Sequence, residues 1–247
     1  MFFAKPGVYE PCGIYNIRHL IIAIGTLLCV AIAAVMTKTN KKEDIKKIIR
    51  NITITVWCLE IIKIIFLFLI GQGKINRVVP LYYCSLLLYS GLMSSFGKGI
   101  IKKMGDVFLA TGGIVGGLVF IACPTTSLPE YPVFHFLTIH SFFFHGTMLY
   151  LGIIVNKSKY VELKFDDIKY YASLIFIICM FAYIVNLASG SNLMFISQDF
   201  PGMPITVLYN GVGFLFTPIM IILQMTVPFL IVYALLKGGE HIWKKEK

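Results

Sequence analysis

Four kinds of reactive side chain stand in otherwise apolar stretches of this 247-residue chain. A thiol stands at Cys84 in VVPLYYC, which runs from Val78; imidazoles stand at His135, His140 and His145 in FHFLTIHSFFFHG, which runs from Phe134 to Gly146; and Glu60 and Lys63 lie three residues apart. Hydrocarbon offers no water to solvate an idle polar group, so such residues mark candidate sites. A thiol becomes a nucleophile when a neighbouring base takes its proton, and imidazole is the commonest such base. Cys84 is therefore a candidate catalytic nucleophile, with His140 or His145 as the base. Glu60 and Lys63 at i,i+3 can face each other on one helix and so offset part of their desolvation. A carboxylate beside an imidazole also fixes its tautomer. Other readings stand beside these: Cys84 as a small core filler, Glu60 and Lys63 as a structural ion pair, or the same charges and His145 as the substrate or proton path of a transporter or ligand-binding membrane protein.

The elements that must carry these residues are membrane spans. Hydrophobic residues make up 57% of the chain and charged residues 14%, and the mean hydropathy is +0.81, against about 25% charged in a soluble domain. The expected fold is all-α, a single multi-pass domain of seven transmembrane helices near residues 17–36, 52–71, 79–96, 105–122, 134–156, 170–188 and 214–236. Each run approaches the roughly 20 residues needed to cross about 30 Å at 1.5 Å per residue. Gly112, Gly113, Gly116 and Gly117 in the fourth run form overlapping small-xxx-small pairs, which predict close helix packing at the centre of the bundle. Between the last two runs, residues 189–213 interleave Gly and Pro with Phe195, Ile196, Phe200 and Ile205, a pattern expected to fold back onto the bundle.

Counting along ideal helices from the nearest boundary places Cys84 about 7 Å deep, His140 about 9 Å and His145 about 16 Å. This predicts an outer layer of His19, Tyr82, Cys84, His135 and His140, and a midplane layer of Glu60, Lys63, His145 and Gln224. Five residues of helix turn His140 and His145 about 140° apart, so only one can face a common cavity closely.

The net charge of +10 is a topology signal. Seventeen of the 22 basic residues fall in segments 37–51, 97–104 and 157–169 and in the C-terminal tail, all on one side of an alternating seven-span chain. The positive-inside rule then places the N-terminus outside the cell membrane and the C-terminus in the cytoplasm. Basic residues beside anionic lipid require no nucleic-acid partner, and membrane lipid is the expected partner. MFFAKPGVYEPCGIYN, the first 16 residues, lacks a signal-peptide core and cleavage site, so the first span is expected to serve as the insertion signal. The six cysteines show no CxxC or metal-ligand spacing, so no metal and no cofactor is expected. Cys12 and Cys123 share the outer side, where a disulfide between them is one option.

Taken in order, these residues resemble the YwaF family of bacterial integral membrane proteins, which is related to the eukaryotic transmembrane protein 164 family. The resemblance covers nearly the whole length. It rests on His19-Leu20, Glu60, the run Val79 to Cys84 where the family reads L-P-L-H-L-C, the histidine helix ending in His145-Gly146, and Gly190 to Phe195 where it reads roughly G-x-N-Y-x-F. Tyr82 stands where the family has histidine. The resemblance implies a phospholipid acyltransferase or lipid ester hydrolase using a Cys/His pair, with Cys84 as nucleophile, His145 as base, and Glu60, His19 and Asn192 lining the site.

Overall fold

The computed structural model describes residues 1–200 and 205–245, and the side chains of residues 1–200 and 205–238. Ten α-helices follow in order among them: α1 Ile17–Met36, α2 Lys42–Leu69, α3 Ile75–Val78, α4 Leu86–Phe96, α5 Gly99–Ala110, α6 Gly112–Ala122, α7 Phe136–Lys157, α8 Ile168–Ser189, α9 Ile205–Val212 and α10 Phe216–Lys245. No strand occurs among the described residues. Six helical stretches are long and apolar enough to cross a membrane, with α5 and α6 counted as one, and α4 is a shorter apolar helix beside them. Seven passes result, the third made by a half-length helix.

That third pass corrects the expected helix over 79–96. Pro80 lacks an N–H and disfavours helical backbone at the residue before it, and Val79 is extended at φ −84°, ψ 114°. The chain from Val79 to Ser85 is an irregular turn. Tyr89 Oη donates to the Pro80 carbonyl at 3.1 Å, and the Tyr83 and Tyr171 hydroxyls meet at 2.7 Å. These bonds tie the turn to α4 and α8. Cys84 consequently lies at the amino end of α4, its carbonyl accepting from Leu87 N at 3.0 Å.

Helix α2 begins ten residues before the apolar run expected at 52, because the Lys, Glu and Arg residues of that segment are good helix formers. Helices α5 and α6 are interrupted at Thr111, whose hydroxyl donates to the Val107 carbonyl at 2.7 Å. Over an apolar 18-residue window of each, 72% of the α5–α6 stretch and 67% of α7 is buried, against 17% of α1, so these helices form the bundle centre that the glycine pattern predicts. A Cβ on Gly117 would stand 2.8 Å from the His145 carbonyl oxygen, and one on Gly105 2.5 Å from that of Ser90. Only glycine allows those backbones so close. The outer helices turn residues such as Ile21, Val35, Leu69 and Leu187 outward, as lipid contact requires.

After α8 the chain does fold back. Leu193, Met194 and Ile196 are fully or almost fully buried in the main core. Thr217 Oγ1 donates to the Ile196 carbonyl at 2.7 Å and Gln224 Nε2 to that of Met194 at 2.8 Å. Pro201, Gly202 and Pro204 lie outside the described residues.

Candidate functional site

Helix α2 presents Glu60 to the interior at 3% exposure. Its Oε1 accepts from Lys63 Nζ at 2.5 Å, one helical turn away, and its Oε2 lies 3.6 Å from His140 Nε2 on α7. Glu60 therefore bridges a cation on its own helix and an imidazole on the next. His140 Nε2 has no hydrogen bond closer than this approach, and a proton on that nitrogen points it at the carboxylate. Nδ1 is then the basic nitrogen.

Cys84 joins the group from the turn before α4, within electrostatic reach of Lys63 and Glu60. Lys63 acts across the same space on His140 and His145. Helices α2 and α7 thus bring Glu60, Lys63 and His140 together, and the turn before α4 sets Cys84 within electrostatic reach of the two α2 charges. The two-layer expectation is thereby corrected: Glu60 pairs with His140 from the layer above. Val79 to Cys84 is not helical and does not rise 1.5 Å per residue, and helices that enter from different boundaries cross at an angle.

His145 is held more tightly. Its ring stacks on Phe120 with centroids 3.6 Å apart and 8° between planes, and Nδ1 donates to the Ser141 carbonyl at 2.7 Å. Nε2 carries the lone pair. His19 is engaged at both nitrogens, Nδ1 accepting from Tyr15 N at 3.1 Å and Nε2 donating to the Ile121 carbonyl at 3.0 Å. His135 is engaged likewise, with Leu137 N at 3.2 Å and the Ala4 carbonyl at 3.0 Å. These two histidines anchor the amino ends of α1 and α7.

The Asn192 side chain organises the returning loop: Oδ1 accepts from Ser197 N and Gln198 N at 3.0 and 3.1 Å, and Nδ2 donates to the Gln198 carbonyl at 2.9 Å. Gln224 braces the same loop through Met194, and its buried Oε1 has no partner. The Tyr82 ring lies 5.1 Å from that of Phe195, so the loop packs beside the turn that carries Cys84.

Two supports escaped sequence reasoning. Arg77 Nη2 on α3 donates to both carboxylate oxygens of Glu130, at 2.8 and 2.7 Å, and Nη1 donates to Tyr131 Oη at 3.2 Å. This clamps the chain before Pro80 to the α6–α7 connection, and only an opposite-charge pair 53 residues apart signalled it. Phe120 beneath His145 gave no signal beyond its hydrophobicity. At the amino end of α1, Cys12 Sγ donates to Asn16 Oδ1 at 3.8 Å, and Cys123 Sγ meets Tyr15 Oη at 3.0 Å. No disulfide joins these cysteines. Burial pushes the Cys12 thiol up from its ordinary value. No cluster of three or more His, Cys, Asp or Glu side chains suited to a metal occurs among the described residues.

Fold and composition define a multi-pass helical membrane protein with a polar cluster enclosed between helices. A model of the TMEM164 family matches residues 14–236, and the chain belongs to that family. No curated protein and no solved structure matches it.

Proposed function

We propose that this protein is a membrane-embedded lipid-active enzyme, a phospholipid acyltransferase or lipid ester hydrolase, with Cys84 as nucleophile and His140 as base. The observation that carries the reading is Glu60, buried between Lys63 and His140 beside the turn that holds Cys84. A carboxylate that fixes an imidazole tautomer next to a thiol is the arrangement that nucleophilic acyl chemistry uses. Cys84 also sits at the amino end of α4, where the helix dipole favours negative charge.

In the reaction, His140 Nδ1 takes the thiol proton as Sγ attacks the ester carbonyl carbon of a lipid. The Lys63 ammonium offers positive charge to the oxyanion that forms. The carbon–oxygen bond to the lipid alcohol breaks, the imidazolium returns its proton to the leaving oxygen, and an acyl thioester remains on Cys84. An acceptor hydroxyl then gives its proton to His140 and attacks the thioester, the carbon–sulfur bond breaks and the imidazolium returns the proton to Cys84 Sγ, which completes acyl transfer; water in place of the hydroxyl completes hydrolysis. His145 Nε2 is the second candidate base, and Tyr82 borders the substrate path. We place the N-terminus outside the cell membrane and the C-terminus in the cytoplasm on the basic-residue asymmetry.

The test uses an acyl-phosphonate or thiol-directed lipid probe. Cys84→Ala is expected to stay folded and lose labelling, with His140→Gln losing more than His145→Gln. Undiminished labelling of a folded Cys84→Ala protein overturns the assignment of the nucleophile.

A further inference from the structure

At the end of α2 remote from Cys84, a cavity of about 350 Å³ opens against the last turn of α4, lined by Glu43, Lys46, Lys47, Arg50, Ser95 and Phe96. Positions 43, 46, 47 and 50 recur at three and four residues, so α2 offers them on one face. Three cations oppose one carboxylate there, and Asp44 approaches Lys47 only to 3.9 Å. Across from them Ser95 is 4% exposed, and its Oγ has no hydrogen-bond partner. Thr53 and Ser158 return their hydroxyls to the carbonyl four residues earlier, at 2.7 Å each. Ser95 does not, and a buried hydroxyl left with nothing to bond is one a ligand can engage.

We propose that this cavity binds the phosphate of a phospholipid with a net-anionic headgroup. Guanidinium, ammonium and hydroxyl donors converging on one space match phosphate oxygens. The surroundings favour a lipid over a soluble anion: Phe96 in the lining is 58% exposed, and Ile100 and Ile101 at the start of α5 are 66% and 55% exposed. Acyl chains would cover that apolar surface, and a free phosphate would not. Arg50 lies about 15 Å along α2 from Glu60, and Lys46 about 25 Å from Lys63. In a hydrocarbon core about 30 Å thick, the cavity belongs to the leaflet opposite the Cys84 cluster. The lipid held there is structural or regulatory, distinct from any substrate of the cluster.

The experiment follows the thermal midpoint of the full chain in detergent titrated with phosphatidylglycerol, with phosphatidylcholine and inorganic phosphate as separate arms. Phosphatidylglycerol is expected to raise the midpoint saturably, and the other two at equal concentration are not. Arg50→Gln should need about ten-fold more phosphatidylglycerol, the loss of one charge-assisted hydrogen bond. Ser95→Ala should need several-fold more, and Lys46→Gln replaces Arg50→Gln if the latter fails to fold. Lys42→Gln, exposed on the same helix but outside the cavity, should titrate as wild type. Equal weakening by Lys42→Gln and Arg50→Gln would reduce the effect to diffuse attraction and overturn the proposal. Equal stabilisation by phosphatidylcholine, or the full shift with inorganic phosphate alone, would overturn it as well.

Discussion

Replacing Glu60 by Gln keeps the shape of the side chain and removes its charge, leaving the Lys63 ammonium without its partner at 2.5 Å and His140 Nε2 facing a neutral amide at 3.6 Å. Removing one member of a buried ion pair costs about 3–5 kcal/mol. The Lys63 side chain is 21% exposed and the Glu60 side chain 4%. Lys63 can recover part of its solvation by extending outward, so the low end of that range, about 3 kcal/mol, is expected. At about 2–4 °C per kcal/mol for a chain of this size, the thermal midpoint in detergent should fall by roughly 6–12 °C. Lys63→Met alone should destabilise similarly, because it leaves a buried carboxylate beside His140. The double variant Glu60→Gln/Lys63→Met removes both charges and should recover most of the loss. The assay is thermal unfolding of wild type, both single variants and the double. Single-variant losses that simply add in the double would refute the pair as a coupled unit, and with it the idea that Glu60 holds His140 and Lys63 in place.

Other outcomes follow from the same contacts. Gly117→Val should destabilise by about 1–3 kcal/mol through overpacking, because a Cβ there meets the His145 carbonyl and Leu149 at 2.8 Å; circular dichroism melting checks this. Tyr171→Phe leaves the Tyr83 hydroxyl without its partner at 2.7 Å and should cost about 1–3 kcal/mol, read from the same melts. Arg77→Leu should loosen the segment before Pro80 and raise protease cleavage between α2 and α4, while the melting transition of the bundle shifts little. Burial raises the Cys12 thiol, so the folded state keeps that proton more firmly than the unfolded chain. This contribution to stability is present below the ordinary thiol value and is lost as pH rises above it. The rate of maleimide labelling at Cys12 should therefore climb at more alkaline pH in the folded protein than in the denatured one.

How much was legible varies by element. The span at 17–36 coincides with α1, because its apolar run begins at an asparagine that caps the helix, Asn16 Oδ1 accepting from His19 N at 3.0 Å. The runs at 134–156 and 170–188 fall within two residues of α7 and α8 at each end. The run at 79–96 misled because hydropathy does not distinguish an apolar helix from an apolar turn, and the proline signal at Pro80 was outweighed by the hydrophobic residues around it. Cys84, Glu60, Lys63 and both histidines of α7 were legible as residues, since polar groups in apolar runs stand out by type.

The sequence by itself determined that this is a multi-pass helical membrane protein and which polar side chains lie at membrane depth, because hydrophobic length and composition are local properties of the chain. It left His140 and His145 as alternative bases and gave His19 and His135 no partners. The tertiary structure separated them: His19 and His135 are satisfied by backbone groups, His145 is stacked and bonded within its own helix, and His140 meets Glu60. That distinction depends on where α2, α6 and α7 cross and on a proline-broken turn ahead of α4. Crossing angles and the reach of a side chain between helices arise from packing among residues far apart in sequence, which no local pattern records.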